Sequence, residues 1–325
     1  MLTITSLEEI QAYRAAPALN QSELKQIEHG LAHYKTLQAQ PAMQTESMLI
    51  GSLVDTMLLG QMDDEGNLFH IIDDGKLPSE SIQQLVQAVS NRAGDGVEEL
   101  IDCEDLVAEV VLGSSWQTNW KDETRIAKVL EQGAEYFHEL MRAKGRTIVT
   151  HEQYLRASST IGGLLGNPIT RRLFDRNLLE RRKDASTTYQ LPLEFEWEGI
   201  RCKALLDMLT VRKSHGAGEY VICDLKTTSG LTSKFPEAVR KYRYDLQMAF
   251  YRLAVTKAFG VDPRDVTCQL VVESTTEPGS PRIYTCSQTF MQAAETSMVG
   301  LLREWKWYQE NQFNNEHANQ VLQTL

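Results

Sequence analysis

Five side chains in the second half of this 325-residue chain could do chemistry together: Asp207, Asp224, Lys226, Gln247 and Tyr251. Two carboxylates with a backbone carbonyl and waters suit Mg²⁺, a hard cation that takes oxygen ligands and keeps much of its hydration shell. A metal so held polarises a phosphoryl oxygen and makes a nucleophile of bound water, while an ammonium beside it orients that water or stabilises developing charge. The expected metal ligands are Asp207, Asp224 and the Leu225 carbonyl, and the chemistry is phosphodiester hydrolysis.

The elements that must position these groups read strand, strand, strand, helix. Residues 188–197 alternate and end at Glu198-Gly199, a turn signal, so 201–211 returns as the second arm of a hairpin carrying Asp207. Tyr220-Val-Ile-Cys-Asp-Leu225 is a short apolar run, typical of a buried central strand, where a charge is costly unless paired or metal-bound. Asp224 and Lys226, two apart, share one face of it. From Pro236 to Phe259 the periodicity is helical, and Gln247 and Tyr251, four apart, share a helix face. Asp-x-Lys alone reads as a strand end with a surface ion pair. Asp207 and a glutamine inside the apolar turn Leu246-Gln-Met-Ala-Phe250 lift the group above that reading.

Asp207, Asp224-x-Lys226 and Gln247-x-x-x-Tyr251 resemble the PD-(D/E)XK nuclease superfamily, in the branch with the helical Gln-x-x-x-Tyr signature. Two longer stretches are similar to the exodeoxyribonuclease VIII (RecE) family and its phage relatives. One is Tyr13-Arg-Ala-Ala-Pro-Ala-Leu-Asn-Gln-Ser-Glu-Leu24, with Asn20 where that family opens on a serine. The other is Cys223-Asp-Leu-Lys-Thr-Thr228 running on to Lys241-Tyr-Arg-Tyr-Asp-Leu-Gln-Met-Ala-Phe-Tyr251, with Leu270-Val-Val-Glu-Ser-Thr-Thr276 beyond. The resemblance implies a Mg²⁺-dependent exonuclease (Mn²⁺ able to substitute) that acts on double-stranded DNA ends. It would degrade one strand 5′→3′ and leave a 3′ overhang for a single-strand annealing protein, as a ring-forming homo-oligomer in the cytoplasm of a bacterial or phage-infected cell.

The chain departs from that pattern twice. A helix that in the family carries Gly-x-x-x-His, its His a metal ligand, here reads Gly51-Ser-Leu-Val-Asp55, which makes Asp55 the expected ligand. Relatives often carry a Glu on the strand before the first catalytic Asp; Gln190 and Glu194 both stand near that place.

A formal charge of −11 is unusual for a DNA binder, but it is unevenly spread. Residues 55–110 hold 14 Asp and Glu against two Lys and Arg, leaving 31 basic and 30 acidic residues elsewhere. That acidic stretch is expected to face solvent or a protein partner. Basic residues gather instead at Arg171, Arg172, Arg176, Arg181, Arg182 and Lys183, and at Arg240, Lys241 and Arg243. Both clusters flank the candidate site in sequence and suit DNA phosphates, with ion pairs to Asp175, Glu180 and Asp245 as the competing role. Five scattered cysteines without a C-x-x-C pair argue against a zinc site, an iron–sulfur cluster or a disulfide framework. No apolar run approaches ~18 residues and no signal-peptide order is present, so neither a membrane span nor export is expected.

Elsewhere the reading is helical: 22–37 with Asn20 or Ser22 as cap, 45–59, 79–92, 102–112, 122–144, 151–165 and 169–180, then strands 266–274 and 281–288, a helix 290–312, and a frayed tail 314–325. The expected architecture is α/β: a central mixed sheet flanked by helices, with a largely helical N-terminal half. It is read as one nuclease domain over 1–325, with a partly acidic helical insertion at 61–185 and the catalytic sheet and helices in 187–312. Three other readings remain. One is an endonuclease or single-strand-specific enzyme of the same fold, another a non-catalytic member that binds DNA or a protein, and the third an interaction protein acting through the acidic region.

Overall fold

The computed structural model describes residues 12–38, 45–60, 69–73, 75, 77–94, 96–143, 145–175, 178–179, 184–213 and 218–311. The chain divides into two compact units, Met62–Leu155 and the remainder. In chain order the helices are α1 (Gln21–Ile27), α2 (Leu31–Gln38), α3 (Glu46–Leu59), α4 (Glu80–Ser90), α5 (Glu104–Gly113), α6 (Asp122–Ala143), α7 (His151–Gly166), α8 (Pro168–Phe174), α9 (Phe235–Lys241), α10 (Tyr244–Phe259) and α11 (Gln288–Glu310). The strands are β1 (Phe69–Ile72), β2 (Thr147–Thr150), β3 (Ala185–Trp197), β4 (Ile200–Lys213), β5 (Gly218–Thr228), β6 (Val266–Ser274) and β7 (Arg282–Thr285).

The larger unit is built on a mixed five-stranded sheet in the order β3-β4-β5-β6-β7. Only β5 and β6 are parallel, as a crossover through α9 and α10 requires. The expected hairpin joins β3 to β4 through Glu198 and Gly199, both at positive φ (47° and 87°), the turn geometry that matches strand twist. One face of the sheet is sealed by α10 and α11. Leu246, Ala249, Phe250 and Ala254 of α10, and Met291, Met298 and Leu302 of α11, pack with Leu193, Ala204, Ile222, Cys268 and Leu270 of the strands.

The pleat reverses once, and it reverses at Asp207. On β4, Cys202, Ala204 and Leu206 point into the core, and then Leu209 does, so the alternation slips between 206 and 209. On β3 the partner residue is Gln190, held at φ 46°, with ladder pairs on either side (Tyr189 with Met208, Leu191 with Leu206) but none between Gln190 and Asp207. Pairing of β4 with β5 also begins only at Met208 with Cys223. Asp207 and Asp224 therefore face one another at the fork where the two strands part.

The N-terminal segment fills the edge of β4 that β5 leaves. Leu19 donates to the Arg201 carbonyl at 2.9 Å and accepts from the Lys203 amide at 2.9 Å. The buried Lys203 ammonium then binds the carbonyls of Tyr13, Arg14 and Ala16 at 2.7–2.9 Å. Asn20 starts α1 with a full capping box: its side chain accepts from the amides of Ser22 and Glu23, and Glu23 accepts from the Asn20 amide at 3.0 Å. Asparagine thus does here what a serine does at such a cap. The Tyr13–Leu24 motif is a docking strap and a helix start.

Three sequence expectations are corrected. The helix expected over 22–37 is two, α1 and α2, separated at Gly30 (φ 95°). The helix expected over 236–259 breaks between Lys241 and Tyr244, with Arg243 left-handed at φ 52°. The 61–185 stretch, expected to be helical, is largely so but also contains a parallel pair, β1 with β2. These two strands lie in the smaller unit, whose own core joins Ile82, Val86 and Val89 of α4 to Val107 and Val111 of α5 and Val129 and Phe137 of α6. Asp73, Glu98, Glu99, Glu104 and Asp105 are exposed there, whereas Asp63, Asp64, Glu65 and Asp74 lie outside the described residues, as does the 314–325 tail.

Replacing Asn20 by Ala is expected to cost about 1 kcal/mol, lowering the thermal midpoint of the larger unit by about 2–4 °C. Asn20→Ser is expected to stay near wild type. Equal losses in both variants would show that the cap is not what holds α1.

Candidate active site

The β4–β5 fork, α3 and α10 bring the sequence-predicted groups together. Asp207 Oδ2 accepts the Leu225 amide at 2.8 Å, taking up a backbone donor close to where the ladder opens. Lys226 Nζ stands 2.5 Å from Asp224 Oδ2 and 3.3 Å from the Leu225 carbonyl, so Asp224 and Lys226 do share a face. Gln247 uses both protons of its amide nitrogen, one to Asp224 Oδ1 at 2.8 Å and one to the Tyr251 hydroxyl at 3.1 Å. Glutamine is the residue type this place needs, because its amide can brace a carboxylate and still leave Oε1 to accept.

That acceptor meets a residue the motifs did not single out. Lys25 of α1 donates to Gln247 Oε1 at 3.4 Å, and its ammonium lies 5.2 Å from the centre of the Tyr244 ring. Lys226 lies 5.1 Å from the same ring. Tyr244 therefore carries two cations on its π-system. The sequence hint for Lys25 was its place between the buried Leu24 and Ile27, at the margin of the apolar stripe of α1.

Asp55 reaches the group from α3. Gly51 lets that helix close on β5: a Cβ there would stand 3.1 Å from Thr227 Oγ1. Burial pushes the Asp55 carboxyl up to about 7, with Lys226 opposing and Asp224 adding to the shift. Asp207 is raised well above the usual carboxylate range by burial, then by Asp224 and Asp55. At Lys226 burial works against the charge, yet Asp224 and Asp207 outweigh it and hold the ammonium above its ordinary value. Lys25 is pushed down to about 8 by burial and by Lys226, against the pull of Asp224 and Asp245.

These shifts describe a site with more buried negative charge than its lysines neutralise. Asp224 Oδ2 is buried and makes no hydrogen bond of good geometry, although the Lys226 ammonium is close. Buried, mutually repelling carboxylates are the donor set of a hard divalent cation. Asp207, Asp224, the Leu225 carbonyl and Asp55 fit such an ion. Among the described residues no group of three or more His, Cys, Asp and Glu side chains is already drawn tightly enough to be a finished cage.

The remaining expected residues are placed as follows. Gln190 lies opposite Asp207 at the pleat reversal, whereas Glu194 is exposed further along β3 with Arg201 at 3.8 Å. Arg240 and Lys241 are exposed at the end of α9. Arg243 is engaged by Asp245 at 3.0 Å and by Glu28. Arg171 pairs with Asp175 at 3.0 Å, and Arg172 is exposed on α8. Arg176, Arg181, Arg182 and Lys183 lie outside the described residues.

Residues 169–322, a little under half the chain, match the family described as a PDDEXK-like domain of unknown function. The match includes Asp207, Asp224, Lys226 and Gln247, while Lys25 and Asp55 lie outside it. No curated protein matches the chain. Among solved structures, similarity is found to a Eubacterium rectale protein named "Putative exonuclease", at 15% identity and TM-score 0.46, covering 93% of this chain and 86% of that one. A second, SSO0001, is 12% identical at TM-score 0.24, covering 77% of this chain and 84% of the other. Among the described residues no helix is long and apolar enough to cross a membrane.

The shift at Lys25 has a direct check. Dimethylation with ¹³C-formaldehyde followed by an NMR titration is expected to show one lysine resonance with a midpoint at about 8, absent from Lys25→Arg. Protonated below that pH and neutral above it, Lys25 is a cation at pH 7. A midpoint at the ordinary 10.5 would refute the burial argument.

Proposed function

We propose that this chain is a metal-dependent deoxyribonuclease of RecE-like type. It degrades one strand of linear double-stranded DNA from its end, in the 5′→3′ direction, and leaves a 3′ overhang for a single-strand annealing protein. Mg²⁺ is the proposed metal, with Mn²⁺ able to substitute. The observation that carries the hydrolytic reading is the fork: Asp207 and Asp224 opposed where β4 and β5 part, with the Lys226 ammonium 2.5 Å from Asp224 Oδ2.

A divalent cation held by Asp207, Asp224, the Leu225 carbonyl and Asp55 supplies Lewis acidity and lowers the pKa of bound water. The protein's own groups do the rest. Gln247 fixes the Asp224 carboxylate in one orientation, so its second oxygen is presented to the site rather than turned into the core. Lys226, held protonated, donates a hydrogen bond to the attacking water or to a phosphoryl oxygen as charge builds on it. Lys25 offers a second ammonium beside it, suited to a neighbouring phosphate along the strand. Arg240, Lys241, Arg172 and the remaining basic cluster that includes Arg181 and Arg182 extend that attraction along DNA.

Polarity, the annealing partner and a ring-shaped homo-oligomer belong to the same proposal and rest on the resemblance of the Tyr13–Leu24 and Cys223–Tyr251 stretches. A ring would retain DNA without a strongly basic surface, which fits a chain of formal charge −11.

The test is a time course on duplexes labelled separately at each 5′ and 3′ end, with and without divalent cation, beside a closed circle. Loss of label from 5′ ends first, with the circle intact, is the expected result. Cutting of the circle would replace the exonuclease reading by an endonuclease one. Asp224→Ala and Lys226→Ala are expected to lower turnover at least about 100-fold, with DNA binding in Ca²⁺ retained; near-normal turnover in either defeats the assignment. Asp55→His is expected to keep or raise activity, and a folded but inactive variant would count against Asp55 as a ligand.

A further inference from the structure

One exposed aromatic side chain adjoins the catalytic group without taking part in it. Tyr242 is 51% exposed and sits in the two-residue break between α9 and α10. That break is a rigid corner. Arg243 takes the left-handed conformation there (φ 52°) and is clamped by Asp245 and Glu28. Behind Tyr242 the rings form a ladder. Tyr242 meets Tyr244 at 5.8 Å, Tyr244 stacks on Phe235 at 5.6 Å and 12°, and Phe235 on Tyr284 at 6.0 Å. Tyr244 is also the ring beneath Lys25 and Lys226. The Tyr242 ring is thus held one ring away from the two ammonium groups, with its body open to solvent.

Its neighbours are cationic. Arg240 and Lys241 are exposed, and the Lys241 ammonium lies 5.1 Å from the centre of the Tyr242 ring. Phosphates on one side and an aromatic face on the other are what a single nucleic-acid strand presents and seeks. An exposed cation–π contact is weaker than base–aromatic stacking, so an incoming base displaces the Lys241 ammonium and leaves it for the adjacent phosphate.

We propose that Tyr242 is a stacking platform for one unpaired nucleobase of the DNA strand whose neighbouring phosphate lies against Lys25 and Lys226. This rests on the nuclease reading above and adds to it a feature of the substrate: at the step of cleavage the strand is single-stranded or frayed at that nucleotide. Every base has a π-face, so the platform is sequence-tolerant.

The experiment uses the full chain in Ca²⁺ and single-stranded oligonucleotides carrying 2-aminopurine at successive positions. Wild type and Tyr242→Phe are expected to quench the probe at one position. Tyr242→Ala is expected to lose that quenching and to bind about tenfold or more weakly. An abasic site at the same position should weaken wild type by a like factor and leave Tyr242→Ala unchanged. Quenching that survives in Tyr242→Ala, or an affinity within twofold of wild type, overturns the platform. Digestion of end-labelled DNA in Mg²⁺ is run alongside. Cleavage by wild type with an unaffected Tyr242→Ala removes the platform alone, whereas Tyr242-dependent quenching without cleavage keeps the platform and removes hydrolysis. Wild type that neither binds nor cleaves overturns both.

Discussion

The reversal of the pleat at Gln190 and Asp207 governs the rest of this structure. A β-strand that alternates without interruption would send Asp207 either into the apolar core or away from Asp224. The slip between Leu206 and Leu209 keeps both leucines buried and turns the carboxylate between them into the fork. It also ends the β4–β5 ladder there, and the Asp207 carboxylate takes the amide of Leu225. The positive φ at Gln190 is the local strain that this geometry stores, of the kind that collects at functional sites.

Buried charge is tolerated at the fork because each group restrains another. Gln247 is saturated on all three sides by Asp224, Tyr251 and Lys25, so the amide cannot turn without losing contacts at each. Tyr244 gathers two ammonium groups over one ring, where a single lysine against three aspartates would leave a larger imbalance. The residual deficit of positive charge is what the proposed divalent ion would offset. The same deficit explains why the carboxyls of Asp55 and Asp207 hold their protons so far above the usual range.

Much of this was legible in the sequence. The strand–strand–strand–helix order, the shared face of Asp224 and Lys226, and the turn at Glu198-Gly199 follow from periodicity and turn chemistry, and all appear in the fold. The break at Tyr242-Arg243 was not legible, since arginine has no marked preference for a left-handed φ and tertiary ion pairs hold it there. Lys25 was hidden for a related reason: a lysine beside an apolar stripe resembles any solvated helix margin until the partner helix is placed. The strands of the smaller unit, four residues each, were too short to show alternation between long helical patterns. Gln190 and Glu194 could not be told apart because the discriminating feature is a slipped register, which composition does not record.

The strap formed by Tyr13–Leu19 has a consequence for how the molecule is made. Its anchors, the Lys203 ammonium and the Arg201 and Lys203 backbone, lie about 190 residues further along the chain. The strap has nowhere to dock until the β3–β4 hairpin exists, and contacts of such sequence separation form late. Lys25 is delivered by the helix that follows the strap, so its arrival coincides with closure of the sheet. The fork therefore lacks Lys25, the second of its two cations, until that hairpin has formed.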